Sequence, residues 1–318
     1  MTNAATHSTV APSTSKPRIT AGERAGIPPR RMDFEFAEET TRYWYGNNAF
    51  LTTFWATLSA LFPEGETFFV DSVKNYRHMI TDPTLKDQVS GFIGQEAMHS
   101  KEHETFNAMA EKHGFPTDKL DKELGVLFKV VRKFVPKKMQ LAVTVALEHY
   151  TAILAEQLLR EDIHQEMFSD PEALKLWMWH ALEENEHKIV AYDVYEVAGG
   201  GYFTRVATML IATLVFAVVV TQGHMRLLWA DGSLFKWKEN WKGLKFLWGW
   251  KGLFPRLAKQ YFDFYRPGFH PNDHDTVQLL DDWREKMLTE GGMLADQIKN
   301  PSRPVSYTHL TLPTNREV

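Results

Sequence analysis

Residues 176–194 read LWMWHALEENEHKIVAYDV, and the spacing of their ionisable side chains decides the fold. At 3.6 residues per turn, His180, Glu184 and His187 fall on one helical stripe, with Trp177 before them and Val190, Ala191 and Val194 after. Glu183, Asn185 and Glu186 rotate away from that stripe. An apolar stripe turns inward, so this segment carries Glu-x-x-His into a core. Charged groups inside a packed helical core are costly unless something compensates them, and a metal cation does so.

Residues 95–106, QEAMHSKEHETF, repeat the arrangement. Glu96, His99 and His103 share a face with Phe92 and Phe106, while Glu102 and Glu104 lie on other faces and read as solvated. Two further inward carboxylates precede these pairs. Glu66 shares a stripe with Phe69, Val70 and Val73, whereas Glu64 aligns with Asp71 and reads as exposed. Glu148 lies among Leu141, Thr144, Val145, Thr151, Ala152 and Ala155, a face of small side chains that leaves room for a metal; His149 is the adjacent alternative.

Breaks in the chain divide these stripes among four helices, at 64–80, 84–112, 137–160 and 171–198. Pro63 suits a first helical turn, Asp82–Pro83 and Asp170–Pro171 read as caps, and Gly114–Pro116 and Gly199–Gly201 as stops. A longer link, 113–136, joins the two helix pairs. The expected fold is all-α: a ferritin-like four-helix bundle over residues 32–200. One Glu comes from each of two helices and Glu-x-x-His from each of the others, the pattern of two-metal carboxylate proteins. The expected metal ligands are Glu66, Glu96, His99, Glu148, His180, Glu184 and His187.

Bulk composition narrows the chemistry. The net charge of -4 gives no case for nucleic acid as a partner. The absence of cysteine excludes disulfides, thiolate metal sites and a Cys nucleophile, leaving His and carboxylate ligands that suit Fe, with Mn or Zn as alternatives.

Outside the bundle the chain changes character. Residues 1–31 begin rich in Ser, Thr, Ala and Pro and read as a disordered leader. Residues 201–290 read as a C-terminal helical region. It contains the apolar run Val206–Val220 and then Trp229, Trp237, Trp241, Trp248 and Trp250, interleaved with lysines. Either these pack as a buried helix and an aromatic core face, or they touch a membrane surface. Residues 291–318 read as a tail, of which 306–318, SYTHLTLPTNREV, read as a translated adapter sequence, so His309 is not a ligand candidate. His270 and His274 belong to a polar turn, and His164 reads as solvated.

The segments Phe62-Pro63-x-Gly65-Glu66-x-Phe68-Phe69, Gly94-Gln95-Glu96-x-x-His99-x-x-x-His103 and Trp179-His180-x-x-Glu183-Glu184-x-Glu186-His187 resemble a bacterial family described as predicted metal-dependent hydrolases. The ligand order resembles the ferritin-like di-iron superfamily. His180-x-x-x-Glu184-x-x-His187 is similar to the extra-histidine variant of p-aminobenzoate N-oxygenase-type enzymes.

The resemblance implies a di-iron enzyme that activates O2 to oxidise a small hydrophobic substrate, drawing on an electron donor. Metal-dependent hydrolysis is the alternative, and a non-enzymatic metal-storage bundle a second one. His103 has no slot in the ligand pattern. It is the candidate catalytic residue outside the ligand set, read first as a supporting contact to a ligand carboxylate, with a proton donor or an eighth ligand as the alternatives. The expected location is cytoplasmic, peripheral to or anchored at the inner membrane, with a homodimer left open.

Overall fold

The computed structural model describes residues 20–37 and 40–299 of the 318. Residues 1–19 of the expected leader and 300–318 of the expected tail lie outside the described residues. Among those described, helices form the whole framework and the only β pairing is an isolated bridge between Tyr45 and Phe168.

The helices are α1 (Ala21–Arg24), α2 (Ala49–Lys74), α3 (Pro83–Lys112), α4 (Thr117–Phe134), α5 (Lys137–Arg160) and α6 (Asp162–Glu166). They continue with α7 (Pro171–His187), α8 (Val190–Val197), α9 (Tyr202–Asp231), α10 (Trp237–Trp248), α11 (Leu253–Asp263) and α12 (Val277–Leu288). Four of them surround the centre of the molecule: α2 packs on α3 and α5, and α7 packs on α3 and α5.

Three boundaries differ from the sequence expectation. Helix α2 starts at Ala49, where the Asn48 side chain accepts the Leu51 N–H at 3.0 Å, so Pro63 stands inside the helix and not in its first turn. Proline lacks an N–H and crowds the carbonyl four residues back, which frees the Ser59 carbonyl. That carbonyl accepts instead from Asn107 Nδ2 of α3 at 3.1 Å. The link 113–136 is largely helix α4, whose Phe128 stacks on Phe68 of α2 with ring centroids 4.3 Å apart. The fourth expected helix is interrupted at Lys188–Ile189, directly after His187, and resumes as α8.

Residues 20–37 are not loose where they are described. Thr20 caps α1, Ile27 is buried, and the chain runs across α3 where Gly91 and Gly94 admit it. A Cβ on Gly91 would sit 2.4 Å from the Ile27 carbonyl oxygen, and one on Gly94 2.4 Å from Pro29 Cγ. This strap delivers Arg30 to α7 as a buried side chain.

Helix α9 has one face packed on α5 and α2 and the other exposed. Only 28% of its most apolar 18-residue window is buried, and Trp237, Trp241, Trp248 and Trp250 are exposed. The expectation of a buried apolar helix beside an aromatic core face is therefore not met. The aromatic core lies elsewhere, built on Trp44, Tyr45, Trp55, Trp177 and Trp179.

Candidate metal centre

All seven residues expected as ligands meet between α2, α3, α5 and α7, and all are buried. Their donor atoms form three overlapping groups in which every atom lies within 4.8 Å of the others: Glu66 with His99 and His180; Glu96 with His99 and Glu184; and Glu96 with Glu148 and His187. Glu96 and His99 each join two groups. Glu184 Oε1 faces three imidazoles, at 3.0 Å from His180 Nε2, 3.4 Å from His99 Nδ1 and 3.7 Å from His187 Nε2.

The surrounding hydrogen bonds fix which nitrogen of each histidine is turned to the cluster. Gln95 Nε2 donates to Glu186 Oε2 at 2.8 Å and to the Pro28 carbonyl at 3.3 Å, so its Oε1 faces His187. That oxygen can only accept, so His187 Nδ1 carries the proton across 3.0 Å. The lone pair of His187 Nε2 then points at Glu96 Oε1, 3.0 Å away. His99 Nε2 donates to Glu183 Oε2 at 3.1 Å, leaving Nδ1 for the cluster.

The third histidine is set by a longer chain. Asn107 Nδ2 must face the Ser59 carbonyl, so its Oδ1 accepts the Ser59 hydroxyl at 2.7 Å. Ser59 Oγ therefore accepts from His103 Nδ1 at 2.8 Å, and His103 Nε2 accepts from His180 Nδ1 at 2.7 Å. The lone pair of His180 Nε2 is left facing Glu184 Oε1.

In its singly protonated form each of the three imidazoles thus turns an acceptor nitrogen toward a carboxylate oxygen, an arrangement that takes a proton or a metal cation between the two. The polar atoms without hydrogen-bond partners agree with this. They include Glu66 Oε1, both oxygens of Glu96 and of Glu148, Glu184 Oε2, His99 Nδ1 and His187 Nε2. Buried side-chain polar atoms are ordinarily satisfied, so this many orphans converging on one place fits a metal-ligand set of hard oxygen and imidazole donors. The 3.0 Å approach of His187 Nε2 to Glu96 Oε1 is close without being a hydrogen bond, since both atoms aim at a shared point.

The protein alone balances the cluster with protons. Burial, reinforced by the Glu96 charge, holds Glu66 and Glu148 well above the usual carboxylate range, and burial raises Glu96 as well. Burial works against charge on His187 and His99, but facing carboxylates outweigh it. Glu184 and Glu96 lift His187 well above its ordinary value, and Glu183 and Glu184 lift His99 to about 10. Glu184 runs the other way: burial would raise it, yet the three histidines hold it well below the carboxylate range. Burial lowers His180 to about 4 and holds His103 well below its ordinary value, so both are neutral, as the tautomer chain requires.

Several supporting residues were not foreseen. Glu183 and Glu186 rotate off the ligand stripe but are buried, not solvated. Arg30 Nη1 of the strap donates to Glu183 at 2.7 Å and Glu186 at 2.8 Å, and Arg284 of α12 donates to Glu186 at 2.9 Å. Burial opposes charge on Glu186, but the two guanidiniums hold it down at about 2. Ser100, four residues after Glu96, donates to Glu66 Oε2 at 2.8 Å.

Other expectations move. Glu102 is buried and accepts the Phe34 N–H at 3.1 Å, and His164 is buried beside Tyr45. His149 points away from the cluster and bonds the Gln260 carbonyl at 3.0 Å. His103 touches the cluster only through His180. His270 and His274 pair with Asp193 at 2.8 Å and Asp263 at 3.2 Å.

Comparison with known proteins gives no significant match among curated proteins or among solved structures. A family model does match, and its match runs from the strap through residue 200 into the C-terminal helices. This chain belongs to the family described as predicted metal-dependent hydrolase, over residues 28–275.

Proposed function

We propose that the chain is a two-metal enzyme of hydrolytic type, built on a ferritin-like four-helix bundle of α2, α3, α5 and α7. One observation carries the proposal: seven buried residues from these four helices converge, and six of them bring orphaned polar atoms to the same place. Glu66, His99 and His180 would hold one cation and Glu148 and His187 the other, with Glu96 and Glu184 shared between them. A pair of divalent cations held there supplies Lewis acidity and a nucleophilic water at neutral pH.

The chain's own residues supply the rest. Gln95, Glu183 and His103 each bond the far nitrogen of one ligand histidine, which fixes its tautomer and ring orientation. His103 is by this reading a positioning residue for His180 and not a proton donor to substrate. Phe62, Trp177 and Trp179 pack against His103, His180 and His99 and keep bulk water from that end of the centre.

Oxidation by O2 is the second reading. It is favoured by the donor set itself, in which four carboxylates accompany three histidines in an aromatic, water-poor setting. The test is to load the metal-free protein with Mn, Zn or ferrous iron, count bound metal, and assay ester, amide and phosphoester cleavage beside O2 consumption. Cleavage supported by Mn or Zn without O2 uptake supports hydrolysis. O2 uptake by the iron form with no cleavage by any metal form overturns it in favour of oxidation. A Glu184→Ala chain that still binds two metals overturns the centre.

A further inference from the structure

Helix α9 presents an apolar stripe to the outside, broken only at Thr221 and Gln222: Phe203, Leu210, Leu214, Val218, Met225 and Trp229 are exposed along seven turns. At its end the stripe runs on without a gap. Trp229 meets Phe235 with ring centroids 6.2 Å apart, and Phe235 meets Trp237 at 6.0 Å, all three rings being more than 60% exposed. Helix α10 then carries Trp237, Trp241, Leu244 and Trp248 at spacings of four, three and four, again all exposed. Monomeric proteins in water rarely show apolar surface of this extent.

The exposed charges around α10 have one sign, while on α9 Arg226 pairs with Glu123. Lys236, Lys238, Lys242, Lys245 and Lys251 are exposed around the α10 tryptophans. The acidic side chains nearby are engaged inward: Glu239 accepts the Ala49 N–H at 2.7 Å, and Asp231 accepts from Arg42 at 2.7 Å. Tryptophan flanked by lysine suits the boundary between acyl chains and anionic headgroups.

The opposite face of α9 decides how it would sit. At 1.5 Å per residue its 30 residues are long enough to cross a bilayer. Yet Arg205, Thr208 and His224 lie on the packed face, with the Arg205 guanidinium donating to the Phe264 and Arg266 carbonyls. Gly223 lies so close to Thr57 that a Cβ would come within 2.8 Å of it. With polar groups on its packed face and the bundle along that side, α9 offers lipid only its outer face, the disposition of a helix lying on a membrane surface.

We propose that the exposed faces of α9 and α10 form one surface that docks the enzyme on an anionic lipid bilayer, with the apolar side chains in the acyl boundary and the lysines at the phosphates. The inference stands apart from the chemistry of the metal centre. Flotation of the full chain with vesicles tests it, comparing phosphatidylcholine alone with an equal mixture of phosphatidylcholine and phosphatidylglycerol. Two variants accompany it, Trp237→Ser/Trp241→Ser/Trp248→Ser and Lys238→Glu/Lys242→Glu/Lys245→Glu, with circular dichroism and metal content confirming the fold. The expected result is binding to the mixed vesicles that weakens at least about tenfold in either variant. Brominated acyl chains should also quench the wild-type tryptophan fluorescence. Absence of binding, binding equal on both vesicle types, or a sedimenting dimer that only the tryptophan variant dissociates would overturn the proposal.

Discussion

Replacing Glu148 by methionine separates a metal centre from a structural ion-pair network, because the two readings predict opposite signs. Glu148 is 2% exposed, neither of its oxygens has a hydrogen-bond partner, and the nearest cationic group, His187 Nε2, is 3.6 Å away. Burial and the charge of Glu96 disfavour its ionised form. In metal-free protein the carboxyl is thus a cost. An apolar side chain of similar length removes it, and a buried polar group without a hydrogen-bond partner costs about 1–3 kcal/mol. If Glu148 were half of a structural pair with His187, removing it would destabilise by about 3–5 kcal/mol. With metal the order reverses. Free metal at a hundredfold over its Kd stabilises the wild type by about 2.7 kcal/mol per site, and the variant forfeits that for the site it loses. Unfolding followed with chelator and again with Mn or Zn, beside metal counts, should show the variant above wild type in chelator and below it with metal. A variant that is less stable in chelator and keeps both metals would refute the reasoning.

Three further predictions rest on the surroundings. Gln95→Leu removes the acceptor for His187 Nδ1 and should weaken metal binding about 10–100-fold in a chelator competition, with little change in helix content. Asn107→Leu deprives Ser59 of two hydrogen bonds and should cost about 1–3 kcal/mol in urea unfolding. Adding Pro63→Ala should recover part of it, because the new N–H reaches the same Ser59 carbonyl. Burial lowers His164 to about 4, below the ordinary value of about 6.5. The unfolded chain therefore takes up the proton first, and stability that is whole above about 6.5 should fall by roughly 3 kcal/mol as pH drops toward 4. A His164→Gln chain should lack that slope, and an NMR titration placing the imidazole near 6.5 would contradict it.

The convergence of the seven candidate ligands was legible because helical periodicity is local. His180, Glu184 and His187 share a stripe in any straight helix, and so do Glu96 and His99; the packing only had to bring the stripes together. What periodicity could not show is how much of the off-stripe surface is also buried. Every residue of α7 from Leu176 to His187 is buried, because the strap and α12 cover the side that the core does not. Glu183 and Glu186, read only as turned away from the stripe, anchor Arg30 and Arg284 on that covered side. Their signal was present but non-local: a buried carboxylate needs a partner, and Arg30 lies in a segment read as leader. Glu102 was misplaced for the same reason, since its partner is the Phe34 N–H of that strap.

The misreading of Pro63 as a helix start and the contact that places His103 against His180 have one physical cause. The stretch from Leu51 to Leu61 is buried on all sides, so it shows no periodicity to mark it as helix, and the proline looked like a beginning. Inside the helix that proline strips the Ser59 carbonyl of its internal donor. Asn107 supplies the replacement, which orients its amide, directs the Ser59 hydroxyl, places the proton of His103 on Nδ1 and that of His180 on Nδ1, and leaves His180 Nε2 facing Glu184. A defect in one helix is in this way carried through four side chains to the orientation of a donor nitrogen. Neither Pro63 nor His103 has a meaning by itself; each is explained only by the contact between α2 and α3 that joins them.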